Sequence, residues 1–410
     1  LKENMGKEEK WIYEEIVGRI PPFSRLSPVR SILLQLFLLL FLGTLLGLTF
    51  QLGTQTILQG FLAITVAVLW SLLILQLAPT LRKFRVPLSQ GENELLERYK
   101  YVLFHPHHYE ALPGIAIFLP LLAYLYQGSP GLLQQWLGVD PHPILLLFLA
   151  LLLWDICYRM GLGIWTTGLA LWRSWHLKNL AGKRTRLEHT PYTELNYLRK
   201  LDTNNIYFAL LSLLLLPILK EDPLLSSAVV LFAAAIALLS FTSAYMISQV
   251  PWLPPDIYNL VKESNFAYIG ASHHDKPHIT PVVYVFDGHR IYFNTSKEAY
   301  KLKILKKNPK VAFLIDKRDL ANIYENKAVL FTGTVKIYGI KDIPTSFHRM
   351  LQARSLFLQK YPEYTRKYTT QKSELPKAWQ LTPIVSRILI EIKPKSIIYW
   401  RGAKQIRVPV

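Results

Sequence analysis

A single cysteine in 410 residues, Cys157, excludes a disulfide framework, a cysteine-ligated zinc site and a cysteine-bound iron–sulfur cluster. Charge is scarce as well. Only 18% of the residues are Asp, Glu, Lys or Arg, where an ordinary soluble chain carries about 25%. Acids are scarcer than bases, 28 against 47, and the formal net charge is +19. Between Ser31 and Leu81 there is no charged residue at all. With 51% hydrophobic residues, this composition argues against a purely soluble enzyme. The basic balance suits either a nucleic-acid binder or a membrane protein with basic cytoplasmic surfaces.

The apolar residues gather in the N-terminal part. The uncharged stretch is too long for one membrane span and right for two helices with a turn near Gly53-Thr54-Gln55. Further apolar runs at 111–127, 144–171, 204–219 and 224–247 bring the expected number of transmembrane helices to six. Residues 31–250 therefore read as an all-α polytopic membrane domain in a lipid bilayer. Lys and Arg crowd the segment before the first span and the loops after the second and fourth. The connections near 53–55 and 128–143 have none, and 220–223 has only Lys220. The positive-inside rule then predicts an integral cytoplasmic-membrane protein with both termini and the C-terminal domain in the cytoplasm. No cleavable signal peptide is expected. Residues 1–30 read as a cytoplasmic amphipathic segment carrying Trp11, Ile12, Ile16, Val17 and Ile20.

Two polar features interrupt the apolar half. Asp155 and Arg159 stand one helical turn apart in the fourth span. Charges at that depth are costly, so they mark either a polar pocket or a self-neutralising pair facing another helix. The cluster His105-Pro106-His107-His108 precedes the third span and reads as loop more readily than as a ligand set. All the histidines lie outside the apolar cores, which argues against haem held within the membrane. No paired broken helices point to a secondary transporter.

After Ser248 the pattern changes. Pro251, Pro254 and Pro255 mark a linker, and period-2 patterns replace long apolar runs. Strands are expected at 265–272, 277–286, 289–295, 310–316, 327–338, 384–391 and 396–400, with Asp287-Gly288 as a two-residue hairpin turn. A helical insertion between Asp342 and Gln380 shows Phe347, Met350, Leu351, Arg354 and Leu358 at helical spacing. Many short antiparallel strands with one or two helices suggest a small barrel over residues 251–410. Thr295 and Glu298 form a capping-box pattern opening a helix that stops at Asn308-Pro309. Its free N–H groups, with Ser296, Lys297 and Lys301, make a phosphate site by physics alone, although a Lys-rich surface helix has the same pattern. The trio His273, His274 and His278 does not fall on one strand face and lacks a cysteine or paired carboxylate, so no metal is expected.

Four segments in this half carry a resemblance: Phe266-Ala267-Tyr268-Ile269-Gly270; Lys276-Pro277-His278-Ile279-Thr280-Pro281-Val282-Val283-Tyr284; Ile291-Tyr292-Phe293-Asn294-Thr295; and Lys301 through Asn308-Pro309-Lys310-Val311. In this order they resemble the pyridoxamine 5'-phosphate oxidase-like, FMN-binding split-barrel superfamily, over about residues 256–402. The resemblance implies an antiparallel split β-barrel with a helical insertion, a homodimer, and a flavin at each subunit interface. The strand from His278 through Thr280 to Val283 would lie along the flavin ring, with backbone groups near Pro281 and Val282 contacting it. Thr295, Ser296 and Lys301 would hold the phosphate with Lys297 nearby, and Trp400 or Arg401 would approach the ring or the partner subunit. Lys276 stands where the family usually has a small turn residue, and the phosphate-holding arginine of the second strand has no clear counterpart. Deazaflavin- and haem-binding relatives share the fold.

After residue 250 there are 27 Lys and Arg against 12 Asp and Glu. No nucleic-acid motif accompanies that excess, so no nucleic-acid partner is expected. Anionic headgroups, a phosphorylated cofactor or an acidic protein account for it equally. The resulting expectation is a membrane-anchored flavoprotein, an oxidoreductase or electron-transfer component with FMN in a cytoplasmic barrel, in reach of a quinone or a respiratory complex. The alternatives are a non-enzymatic cofactor-binding sensor, an accessory subunit of a membrane complex, or a transporter regulated by the barrel. No catalytic acid or base presents itself.

Overall fold

Long uncharged runs can satisfy their backbone only within themselves when water is absent, and here they do so as helices. The computed structural model describes residues 19–20, 26–82, 90–104, 107–127, 132–138, 142–185, 187–339, 342–363 and 387–410. The chain divides into two compact units, Leu1–Gly182 with Glu194–Val250, and Lys183–Thr193 with Pro251–Val410. All of the expected amphipathic N-terminal residues except Ile20, and the side chains of His105 to His108, lie outside the described residues.

The first unit is all-helical: α1 Pro28–Thr49, α2 Thr54–Arg82, α3 Gln90–Phe104, α4 His107–Leu125, α5 Leu132–Leu137, α6 Pro143–Ala181, α7 Tyr192–Asn204, α8 Ile206–Ser212, α9 Leu216–Leu219 and α10 Pro223–Ser248. Proline at the first turn and polar caps start the long ones. His142 accepts from the Ile144 N–H before α6, and Asp222 from the Leu225 N–H before α10. Large apolar side chains such as Phe37, Phe41, Leu231 and Phe241 face outward, as on helices whose solvent is hydrocarbon. Among the described residues five helical stretches are long and apolar enough to cross a membrane, and a sixth results if the bent pair Gly91–Phe104 and Tyr109–Leu125 counts as one span. The third expected span is thus the irregular one. Glu110, Pro113 and Pro120 lie within α4 and dilute its apolar character. There α4 crosses α6 at Gly114 and Gly161, where a Cβ on Gly161 would sit 2.2 Å from the Gly114 nitrogen.

Polar side chains inside this unit answer one another. Asp155 and Arg159 are bonded at 2.8 and 3.1 Å, a self-neutralising pair. Deeper in the packing, Asp202 on α7 accepts from Arg173 and Ser174 on α6 and from Ser243 on α10. The Arg173 guanidinium lies 4.7 Å from the centre of the Tyr99 ring on α3. Arg173, Ser174, Asp202 and Ser243 are fully buried, so one ionic cluster ties four helices.

The second unit is a barrel. Its elements are α11 Pro255–Glu263, β1 Phe266–His273, β2 Lys276–Phe286, β3 Ile291–Ser296, α12 Tyr300–Lys307, β4 Lys310–Lys317, β5 Lys327–Tyr338, α13 Ile343–Lys360, β6 Arg387–Arg401 and β7 Lys404–Val408. The strands run in the order β3-β2-β1-β4-β5-β6-β7, all antiparallel, and β3 also pairs with β6. Six strands therefore close into a barrel, with β7 appended as a hairpin. Alternate residues such as Ile269, Tyr284, Phe293, Phe313, Phe331 and Ile390 fill the interior. Segment Lys183–Thr193 belongs to this unit. Its Arg184 donates to the Pro251 carbonyl, His189 Nε2 lies 3.1 Å from the Pro409 carbonyl, and Thr193 donates to the Val410 carbonyl.

Several local expectations are corrected. Residues 387–391 and 396–400 belong to one strand, β6, and the expected strand start at 384–386 lies outside the described residues. Its kink is absorbed by a bulge opposite Gly333, where a Cβ would come 2.0 Å from the Lys393 carbonyl oxygen. The β2–β3 turn centres on Gly288-His289, one residue later than expected, with Gly288 at φ 91° and Asp287 bonded to Arg290. The β1–β2 turn uses His274 and Asp275, both at positive φ, as a type I′ hairpin requires. The capping box does not form, because Thr295 is still in β3 opposite Ile388 and α12 begins at Tyr300. On α13 the packed face is Met350, Ala353 and Phe357, whereas Phe347, Leu351 and Leu358 are exposed.

Replacing Asp202 by Ala strands a buried guanidinium and should destabilise the helical unit by about 3–5 kcal/mol, while R173M/D202L should recover most of the loss. Thermal unfolding in detergent checks this. Wild-type unfolding of D202A would show that the cluster does not hold the helices.

Candidate functional site

The closure of the barrel assembles a cationic end. Pairing of β3 with β6 puts Ser296 opposite Arg387. Immediately after β3 the chain turns, with the Glu298 N–H donating to Ser296 Oγ at 3.3 Å, and enters α12. Leu302, Ile304 and Leu305 bury one face of α12, and Asn308 ties its far end to the Ser272 carbonyl of β1 at 2.8 Å. This seating leaves Lys301 half-buried. Burial and then the positive charge of Arg387 hold its amine below the usual lysine range. Two cations kept close in a partly desolvated place favour an anion with several acceptor oxygens, such as a phosphate.

The other expected site residues distribute unevenly. Lys297 is exposed at the rim and Ser296 half-buried, while Thr295 is buried in the wall. His278 meets the Tyr300 ring edge-on, with centroids 5.2 Å apart, so the start of β2 reaches the same end as α12. Along β2 the pleat divides the stretch expected under the ring. Thr280, Val282 and Tyr284 share one face, with Val282 and Tyr284 buried, and Ile279, Pro281 and Val283 share the other. Thr280 Oγ1 is buried and meets no hydrogen-bond partner. Trp400 is not brought to this cluster within one chain. It lies thirteen positions along β6 from Arg387 and pairs with Ala328 of β5, roughly 40 Å of extended strand away. Ser296, Lys301 and Arg387 are a donor set that fits the phosphate of a nucleotide-like cofactor.

Arg387 is the residue that sequence reasoning missed. It stands 91 positions from Ser296 in the chain, and only the β3–β6 pairing brings it alongside. Arg387 on the sixth strand supplies an arginine beside Ser296, where no counterpart was found on the second strand. Among the described residues no group of His, Cys, Asp or Glu is arranged to hold a metal ion. The rings of His273 and His274 meet at a tilt of 45°, with centroids 3.9 Å apart.

The comparisons with known proteins divide along the same line. Residues 6–243 match a model described as a family of unknown function (DUF7530), and residues 253–401 match one described as pyridoxamine 5'-phosphate oxidase. No curated protein matches the chain. Similar solved structures include an FAD-binding protein from Mesorhizobium loti, at 15% identity over 35% of this chain and 89% of that one, with a TM-score of 0.26. General Stress Protein 26 from Bacillus anthracis is 17% identical over 37% of this chain and 95% of its own, with a TM-score of 0.26. A heme binding protein from Mycobacterium smegmatis is 12% identical over 38% and 59%, with a TM-score of 0.28. The split barrel stands on the strand pairing and on the match over residues 253–401.

With inorganic phosphate as probe, Lys301→Met should weaken binding about tenfold or more, as expected for a lost charged hydrogen bond. Wild-type affinity should be full while Lys301 is protonated and fall as pH rises through its lowered pKa. Titration calorimetry across alkaline pH checks both, and a pH-independent affinity equal in K301M would remove Lys301 from the site.

Proposed function

Because the chain belongs to the family of unknown function (DUF7530) that its helical half matches, and carries a pyridoxamine 5'-phosphate oxidase domain after it, we propose that it is a membrane-anchored flavin-binding protein. It acts as an oxidoreductase or electron-transfer component using FMN in its split barrel. The observation that carries this reading is the grouping of Ser296, Lys301 and Arg387 at one end of a closed barrel of that family. Lys301 and Arg387 take the cofactor phosphate, Ser296 donates a hydroxyl, and Lys297 raises the local positive potential from the rim. The bound flavin supplies hydride or electron transfer. The chain's part is to bind it, orient it along β2 and screen it from water.

A homodimer is part of the proposal, and the outer face of the barrel supports it. Phe266 is 61% exposed and Ile279 70% exposed. Between them on the same face lie Tyr268 opposite Pro281, and Leu314 beside Tyr268 on β4. A contiguous apolar face of this kind is unusual on a monomer and suits a second copy. From the partner, Trp400 and Arg401 would approach the flavin. The apolar helices anchor the protein in the cytoplasmic membrane with the barrel on the cytoplasmic side, by the distribution of Lys and Arg. Such placement puts a quinone or a respiratory complex within reach as redox partner.

An absorption spectrum of the purified protein tests the cofactor: two flavin bands are expected, against a single deazaflavin band or a sharp Soret band of haem. Bound flavin should respond to NAD(P)H or to a quinol. Flavin inert to both, or protein that retains no cofactor, would favour a non-enzymatic sensor or accessory subunit. Ile279→Asp should convert the dimer to a monomer in light scattering of the detergent complex while leaving the barrel folded. A monomeric wild-type protein would refute the dimer.

A further inference from the structure

The connection between β4 and β5 is an unusual surface feature. Leu320 is 97% exposed, Ile323 67% and Tyr324 70%, three large apolar side chains within five residues. A mobile loop would fold such residues back onto the barrel, but this one is internally braced. The Asp319 carboxylate accepts from the Ala321 and Asn322 amides at 2.9 and 3.0 Å, and the Asn322 side chain from the Tyr324 amide at 3.1 Å. The Asn326 side chain accepts from the Asp319 amide at 2.6 Å. The amides of Glu325 and Asn326 bond to the Asn322 and Ile323 carbonyls. At the base, the Gly402 amide donates to the Asn326 carbonyl at 2.8 Å, and Gly402 is so close to Tyr324 that a Cβ would come 2.8 Å from the Tyr324 oxygen.

Two consequences follow from that bracing. The apolar side chains are presented outward at low further entropic cost. Six of the loop's backbone amides, those of Asp319, Ala321, Asn322, Tyr324, Glu325 and Asn326, are already satisfied within it, which lowers the cost of taking the segment out of water. Two of the three acids at the loop are matched by cations, Asp316 by Arg318 at 2.8 Å and Glu325 by Arg401 at 3.1 Å. The third, Asp319, has its carboxylate engaged by the Ala321 and Asn322 amides, so anionic headgroups meet little unbalanced negative charge there. Leucine, isoleucine and a tyrosine with its polar tip are the side chains that settle at the boundary between headgroups and acyl chains. A bilayer is also close by covalent connection, since the main stretch of the barrel unit starts at Pro251, three residues after α10 ends at Ser248.

We propose that the 318–326 loop is a membrane-contacting finger that inserts Leu320, Ile323 and Tyr324 into the lipid interface and so holds the barrel against the bilayer. This rests on the membrane-anchored reading of the helical half. It adds a second, non-spanning contact that no apolar run in the sequence announces, because the three residues are separated by polar ones.

The test uses the full chain in a C157A background, reconstituted in vesicles of phosphatidylcholine and phosphatidylglycerol. A fluorophore is placed at L320C or, as a control on exposed Lys306 of α12, at K306C. The label at 320 should shift its emission to the blue and be quenched by nitroxide-bearing lipid but not by aqueous iodide, with the label at 306 behaving in the opposite way. Equal iodide quenching at both positions overturns the finger. So does a label at 320 shielded from both quenchers, which would mean that a second copy or another protein covers the loop. Protein that fails to float with the vesicles overturns the membrane reading and this inference together, whereas floating protein with a water-exposed loop overturns this inference alone.

Discussion

The pairing of β3 with β6 is the constraint on which the second unit depends. It joins the first half of β6 to a strand some 91 residues earlier and turns an open sheet into a closed barrel. Closure removes the unpaired edges that would otherwise invite aggregation, leaving only β7 at the margin. It also decides the chemistry. Without that pairing Arg387 would be a solvent-exposed cation far from α12. With it, Arg387 faces Ser296 and its charge is felt by Lys301. The bulge at Gly333 serves the same end. By letting β6 bend, it allows one strand to pair with β3 in its first half, with β7 in its second, and with β5 throughout.

The helical unit solves a related problem by different means. Its helices are apolar on most sides, so burial alone distinguishes poorly between one packing and another. Specific contacts carry the distinction instead: the Asp202 cluster joining α3, α6, α7 and α10, and the backbone approach at Gly114 and Gly161. A buried carboxylate with three donors can be satisfied in few arrangements, which makes such a cluster a better arbiter of helix register than another leucine would be. The Asp155–Arg159 pair has a more local role, since both members lie on α6.

Much of this was legible in the sequence, where a property is carried by neighbours along the chain. The uncharged stretch 31–81, the proline-marked linker, the order of the strands and the kinship of the split barrel all depend on local composition or short spacing. What escaped was set by contacts between distant segments. A helical spacing on α13 is compatible with two faces, and only the sheet beneath it selects Met350, Ala353 and Phe357 over Phe347, Leu351 and Leu358. The capping pattern at Thr295 and Glu298 is locally sound, yet pairing of Thr295 with Ile388 keeps that residue in the strand. The role of Arg387 is invisible until the barrel closes. Strand β7 follows a turn at Gly402 that is a single residue among many polar ones, and has no strong alternation of its own.

Segment Lys183–Thr193 has a consequence for how the protein is made and handled. It leaves the ribosome between two apolar helices, long before Pro409 and Val410, whose carbonyls it meets in the finished molecule. The barrel is therefore discontinuous in the chain. Its last pieces close on a segment that has waited through the synthesis of more than two hundred residues. A fragment cut at the proline-rich linker would carry every strand and still lack this strip, along with the Arg184 bond to Pro251 and the packing of Tyr192 on Trp252. The natural excision point of the sequence is not the boundary of the folded unit.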